Sequence, residues 1–139
     1  MIIYDSNGTS ILSVASNRAE DHYNLGVHNH NQGKINEAIA NYIEALRLRP
    51  DLPEAHVNLA TLYYSRGKVI EAIKEYKEAL KINPDLIEAY CNMGNAYCDL
   101  GEYKNAILCY RAFVEQSSSQ YSSQVNQVVQ MIIELERLI

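Results

Sequence analysis

The chain has 139 residues, 47% of them hydrophobic and 21% charged, which suits one globular domain and leaves no need for a metal or disulfides to support its core. The formal net charge of −5 excludes the basic footprint that a nucleic-acid partner requires, and no apolar run reaches the 18 or more residues of a membrane-spanning helix, so neither nucleic acid nor membrane insertion is expected. Cys91, Cys98 and Cys109 are odd in number and lack paired spacing, so they do not read as a disulfide framework. A reducing, cytoplasmic setting is expected.

Residues 1–18 carry the weakest signals. Met1-Ile2-Ile3-Tyr4-Asp5 offers neither a basic segment nor a sustained apolar one, so a secretory leader is not expected. Asp5-Ser6-Asn7-Gly8 is turn-like. Asn7-Gly8-Thr9 matches a glycosylation sequon, a short pattern that matters only in a secreted context. Ile11, Leu12 and Val14 either dock on the first unit of the chain or stay loose, and the segment is read as a weakly structured extension.

From residue 19 the chain resembles itself at a step of 34. That step links Pro50 to Pro84, Gly33 to Gly67 and Gly101, Ala38 to Ala72 and Ala106, and Tyr42 to Tyr76 and Tyr110. It also links Leu25, Leu59 and Met93. The step divides the chain into three units, residues 19–52, 53–86 and 87–120, each reading as two helices. In the first helix of a unit, Leu59, Leu62 and Tyr63 hold i, i+3, i+4 spacing. Gly67 suits a left-handed residue after the helix end. The second helix begins near Val69 and carries Ala72, Ile73, Tyr76, Ala79 and Leu80 on one stripe, and Pro84 stops it. Asp51 with Glu54, Asp85 with Glu88 and Asn17 with Glu20 have the spacing of capping boxes, which would start the first helix near Arg18.

After the polar run 117–123, Val125, Val128, Val129, Ile132 and Leu135 form one helical stripe. Residues 121–139 are therefore expected to form a helix that covers the last unit. A dimer contact is the rival role, because Met131, Ile133, Leu138 and Ile139 add apolar surface on other faces.

A 34-residue period with small, aromatic and proline positions at these offsets resembles the tetratricopeptide repeat family. The resemblance implies an all-α fold: a right-handed α-solenoid of three helix-turn-helix repeats plus a C-terminal capping helix. The pattern is broken at His22 and His56, which stand where a large aromatic is usual, and at Asn29, which replaces another aromatic. Phe113 and Ser118 replace a small residue and the proline in the third repeat, which suggests that the array ends there.

The resemblance also implies a binding site, because in this family the first helices of the repeats line a concave groove. One lining position is Asn24, Asn58 and Asn92, at the same 34-residue step, and looks like the asparagine ladder of the superhelix attached to O-GlcNAc transferases. An amide offers donors and an acceptor, so such a row can pair with a peptide backbone whatever its side chains. The other reading of the row is a neutral consensus residue on an exposed face. The remaining lining positions used here are Tyr23, Val27, His30, Val57, Thr61, Tyr64, Cys91, Asn95, Cys98 and Asp99. None of the lining positions carries Lys or Arg, so the basic clamp with which chaperone-binding members hold a terminal carboxylate is absent. Glu20, Glu54, Glu88 and Asp99 favour a neutral or basic segment, extended or helical, from another protein.

Catalysis is not expected. Cys91 and Cys98 are i, i+7, about 10 Å apart along a helix, too far to share a tetrahedral zinc. His22, His28, His30 and His56 contain no i, i+4 pair, and no phosphate-binding loop or nucleophile elbow occurs. The expected function is a cofactor-free, metal-free protein-interaction module. The alternatives are a homo-oligomeric scaffold and a regulatory or targeting subunit for an enzyme on another chain.

Overall fold

A computed structural model describes residues 3–8 and 10–139, with the backbone only for 11–16. Among the described residues seven α-helices succeed one another: α1 (Ile11–Asn31), α2 (Ile35–Leu48), α3 (Pro53–Ser65), α4 (Val69–Ile82), α5 (Ile87–Asp99), α6 (Tyr103–Gln116) and α7 (Ser122–Glu136). A 3-10 turn, Ser119–Tyr121, leads into α7. Helices α1/α2, α3/α4 and α5/α6 are hairpins, each packed on the next, and α7 packs on α6. The molecule is an all-α solenoid whose A helices are α1, α3 and α5 and whose B helices are α2, α4 and α6.

Each hairpin closes on a buried tyrosine. Tyr42, Tyr76 and Tyr110 lie on the B helices with their rings out of solvent. They face the small residue of the A helix, Gly26, Ala60 or Gly94. A Cβ on Gly94 would come within 2.6 Å of the Tyr110 ring, and one on Gly26 within 2.7 Å of Tyr42, so these two hairpins are packed to backbone contact. The hairpin turns end at Gly33, Gly67 and Gly101, all with φ near the left-handed region, where a side chain is strained.

Two apolar clusters result. The smaller joins Ala38 and Tyr42 of the first repeat to Leu59 and Leu62 of the second. The larger runs from Ala60 and Tyr76 through Tyr110 and Phe113 to Val128 and Ile132 of α7. Phe113, at the place of Ala45 and Ala79, is fully buried, with Tyr121 edge-on to it at 6.1 Å between ring centroids. The C-terminal segment is therefore docked on α6 through an aromatic pair, not through the close helix approach that a small residue permits.

Two readings of the sequence are corrected. The first helix starts at Ile11, not near Arg18, so residues 11–18 are helical and Asn17 lies inside a helix, not at its cap. The reason is local. Residues 11–18 contain no glycine or proline, whereas Pro50 and Pro84 interrupt the chain before α3 and α5. How Ile11, Leu12 and Val14 pack lies outside the described side chains. The capping boxes are also absent. Leu52 and Leu86 occupy the N-cap positions without a side-chain cap bond, so Asp51 and Asp85 stand one residue outside. Pro53 sets the first turn of α3, since its missing N–H is an orphan there in any case. Asp51 instead faces Arg49 at 3.4 Å, and the Asp85 amide donates to Asn83 Oδ1 at 3.0 Å. The repeated leucine position is not uniform either: Leu25 is 47% exposed and its counterpart Leu59 2%. Leu59 is buried against the preceding hairpin, and among the described residues no hairpin stands before α1.

His56 takes the aromatic position by making its ring polar contacts. Nδ1 meets the Glu75 carboxylate at 2.6 Å and Nε2 donates to the Pro50 carbonyl at 2.8 Å. Burial opposes charge on this ring, but the Glu75 bond and the Pro50 carbonyl outweigh it and the pKa is raised. The ring thus ties α3 both to α4 and to the loop that precedes it. Asn29, at the other substituted aromatic position, donates to Asn41 Oδ1 at 2.7 Å and so joins α1 to α2.

Candidate binding face of the A helices

The residues expected to line a groove sit on α1, α3 and α5 at one register. Their hydrogen bonds run across the array as well as within it. Asn58 Nδ2 donates to the Tyr23 hydroxyl at 3.3 Å, joining α3 to α1. The Tyr64 hydroxyl donates to Asp99 Oδ2 at 2.5 Å, joining α3 to α5. Each pair is 35 residues apart. Among the described residues no hydrogen bond joins one B helix to the next, so the side-chain links between repeats are made by the A helices.

A second set of bonds passes from this face into the core. Thr61 Oγ1 lies 3.0 Å from the Val57 carbonyl and 3.1 Å from the Tyr76 hydroxyl. The Tyr110 hydroxyl donates to Asn95 Oδ1 at 2.5 Å and has Cys98 Sγ at 3.6 Å. In the first repeat the position of Thr61 and Asn95 is Val27, which offers nothing, and the Tyr42 hydroxyl is buried without a hydrogen-bond partner among the described residues. Burial raises the Tyr42 pKa, the Tyr23 phenol adds to this, and the Asn58 amide pulls it partly back. Sequence reasoning misses this hydroxyl row. Its signal is present in the spacing of the paired positions, but a buried tyrosine reads first as packing.

The asparagine row is not uniform. Asn24 is exposed and Asn92 half-buried, and neither side chain makes a hydrogen bond among the described residues, whereas Asn58 spends one donor on Tyr23. Nor are the carboxylates equally available. Asp99 is engaged by Tyr64, whose pKa that bond pushes up to about 12, and Glu20 lies 3.6 Å from Arg49. Glu54 and Glu88 make no ion pair and no cap bond among the described residues. A cleft of about 280 Å³ between the first two repeats is lined by Glu20, Tyr23, Asn24, Leu52 and Glu54. One repeat on, a cleft of about 200 Å³ shares its Leu86 and Glu88 character but also admits Tyr121. The segment before α7 thus reaches this face, and Gln124 of α7 points its amide at Cys91 Sγ, 3.9 Å away. Nothing periodic in the sequence marks that approach. Val57 is half-buried beside Tyr121 in the same cleft, and His30 is half-buried on α1 with no bond to another groove residue.

Burial makes two of the thiols poor nucleophiles. Burial pushes Cys91 up and Cys109 to about 11, so the thiolate is disfavoured at both. Among the described residues no three His, Cys, Asp or Glu stand together as metal ligands, and no helix is long and apolar enough to cross a membrane.

Known sequences and structures share this architecture. A sequence profile described as TPR repeat matches residues 29–65 and 61–100, and one described as tetratricopeptide repeat matches 87–120. No curated protein sequence matches the chain. Among solved structures it resembles the SycD type III secretion chaperone of Yersinia enterocolitica in complex with a peptide of the translocator YopD. There the identity is 15%, the match covers 84% of this chain and 91% of that one, and the TM-score is 0.77. It also resembles the TPR2B domain of yeast Sti1 in its pHsp70 complex, at 19% identity, 88% and 98% coverage and a TM-score of 0.76. The Arabidopsis OM64 TPR domain gives 20%, 90%, 99% and 0.76 in the same order. At such identities the likeness concerns the fold.

Proposed function

The chain belongs to the tetratricopeptide repeat family, and from that premise we propose that it is a non-catalytic interaction module that binds a peptide segment of another protein along the A helices. The observation that carries this reading is the row Asn24, Asn58 and Asn92, one amide per repeat at one register, two of them with no partner among the described residues. Unspent amides on a rigid scaffold can pair with a peptide backbone. The free carboxylates of Glu54 and Glu88 favour a neutral or basic segment over an acidic one. The peptide-bound states in which the SycD and Sti1 structures were solved support the same use of the fold. A cytoplasmic setting is part of the proposal and rests on the unpaired thiols.

The test is a peptide-library screen with the parent and with a variant carrying Asn24→Ala, Asn58→Ala and Asn92→Ala. Each amide lost to a bound backbone removes about 0.5–1.5 kcal/mol. Loss of all three should weaken binding more than tenfold while the circular dichroism spectrum is unchanged. Binding that survives in the variant removes the asparagine row from the account. A second reading, self-assembly through the C-terminal segment, is favoured by the exposed Ile133, Leu138 and Ile139. Light scattering that reports a monomer at working concentration dismisses it.

A further inference from the structure

Two clefts with exposed aliphatic side chains lie away from the asparagine row of the A helices, along the edge formed by the hairpin turns. The first, of about 420 Å³, is lined by Asn36, Ile39, Ile43, Tyr63, Arg66 and Lys68. The second, of about 490 Å³, includes Ile70, Ile73, Lys77, Tyr97, Leu100 and Glu102, which are those six positions advanced by one repeat, with Lys74 and Asn105 added. It is one cleft made twice, where a B helix meets the A helix and turn of the next repeat. A tyrosine helps line each copy, with a lysine over its ring at 5.9 Å, Lys68 over Tyr63 and Lys77 over Tyr97. Ile43, Ile70 and Leu100 are 47%, 64% and 40% exposed.

The charge of this edge is opposite to that of the molecule. Arg66, Lys68, Lys74 and Lys77 line the two clefts, and none of them forms an ion pair with a described carboxylate. Nearby acids offset part of this charge. Glu102, the carboxylate in the lining, accepts from the neutral Asn105 amide at 2.9 Å and keeps its charge. Glu75 is held by His56, and Glu71 is exposed near the Tyr63 phenol. Four cations without an ion pair, against the one carboxylate of the lining and beside exposed aliphatic side chains, make a local surface complementary to acidic, apolar sequence in a chain of net charge −5.

We propose that the turn edge is a second docking surface, separate from the A-helix face, for a partner segment that carries carboxylates next to large aliphatic side chains. The aliphatic groups enter the two clefts and the carboxylates meet Arg66 and Lys68 in one and Lys74 and Lys77 in the other. Two copies of one cleft, a repeat apart, reward a segment that holds two such units. The surface discriminates against the neutral or basic sequence that suits the A-helix face, so the two sites can be filled at once.

The probe is a fluorescein-labelled peptide with two Leu-Asp-Glu units joined by a short Gly-Ser linker, titrated into the full chain and followed by anisotropy. Saturable binding is expected, with marked weakening as salt rises from about 50 to 500 mM, because exposed charge pairs are screened. Arg66→Glu with Lys68→Glu, or Lys74→Glu with Lys77→Glu, should each weaken it tenfold or more, and a Leu-Lys-Lys counterpart should not bind. Lys68→Gln with Lys77→Gln, a milder change, should give a smaller loss and guards against a folding defect, which circular dichroism would report. The variant lacking Asn24, Asn58 and Asn92 should bind this peptide as the parent does. Absence of saturable binding, equal binding by the lysine peptide, or indifference to both charge reversals would overturn the proposal. So would loss of binding in the asparagine variant, which would place the peptide on the A helices. A dimer of the free protein that the reversals disperse would also overturn it, by making a second copy the occupant.

Discussion

Three tyrosine hydroxyls arrive at the same place on three A helices, and the residue that meets them differs each time. Thr61 meets Tyr76 at 3.1 Å and Asn95 meets Tyr110 at 2.5 Å, but Val27 leaves Tyr42 with no partner among the described residues. A buried hydroxyl without a bond costs about 1–3 kcal/mol. Val27→Thr places a hydroxyl where Thr61 has one, with nearly the same volume and the same branching at Cβ. It should stabilise the protein by about 1 kcal/mol, read as a higher urea midpoint with an unchanged slope. Thr61→Val makes the opposite exchange and should lower the midpoint by at least as much. An unchanged midpoint for Val27→Thr would mean that the Asn58 amide, which already lowers the Tyr42 pKa in part, satisfies the hydroxyl in solution.

At the scale of helices, the 34-residue step is enough to place α2 to α6, because the residues that repeat are those that pack: Tyr42, Tyr76 and Tyr110 in the hairpins, and the glycines in the turns. The helix starts are less legible. Asp51 and Glu54 satisfy the spacing of a cap, but Pro53, with its fixed φ and missing N–H, sets the first turn of α3 and leaves Leu52 at the N-cap, one residue later than that spacing implies. The asparagine row can be read from the sequence as a register, but not the bond from Asn58 to Tyr23. That contact depends on the rise and rotation between repeats, which no single helix encodes. The approach of Tyr121 and Gln124 to the A-helix face is equally hidden, since α7 falls outside the period. Its docking rests on Phe113, which stands at an alanine position and touches Tyr121. Phe113→Ala should cost about 3–5 kcal/mol by leaving a cavity. It should also open residues 117–121 to limited proteolysis before the rest of the chain. Cleavage no faster than in the parent would show that Val128 and Ile132 hold α7 without the aromatic pair.

At the scale of the whole molecule, the array is lopsided among the described side chains. The larger cluster gathers the second and third repeats with α7, while the first repeat contributes Ala38 and Tyr42 to a small one, leaves Leu25 in solvent and holds the unsatisfied Tyr42 hydroxyl. In a linear array, stability is close to a sum of repeat and nearest-neighbour terms, so an end repeat with a poor interface opens first. Amides in the middle of α1 and α2 should therefore exchange with deuterium faster than those of α5 and α6, tenfold for each ~1.4 kcal/mol of difference. A common rate for the slowest amides of all six helices would show a single cooperative unit instead. The gradient bears on binding, because Tyr23, Asn24, Val27 and His30 belong to α1, the helix expected to open most readily. A segment that spans α1 to α5 must hold that repeat closed, and ligand at about one hundred times its Kd adds about 2.7 kcal/mol to every opening that releases it. Protection by a groove ligand should accordingly be greatest in α1 and α2, by about one hundredfold. Protection concentrated in the turns within the hairpins, around Arg66 to Lys68 and Leu100 to Glu102, would mark a ligand on the turn edge.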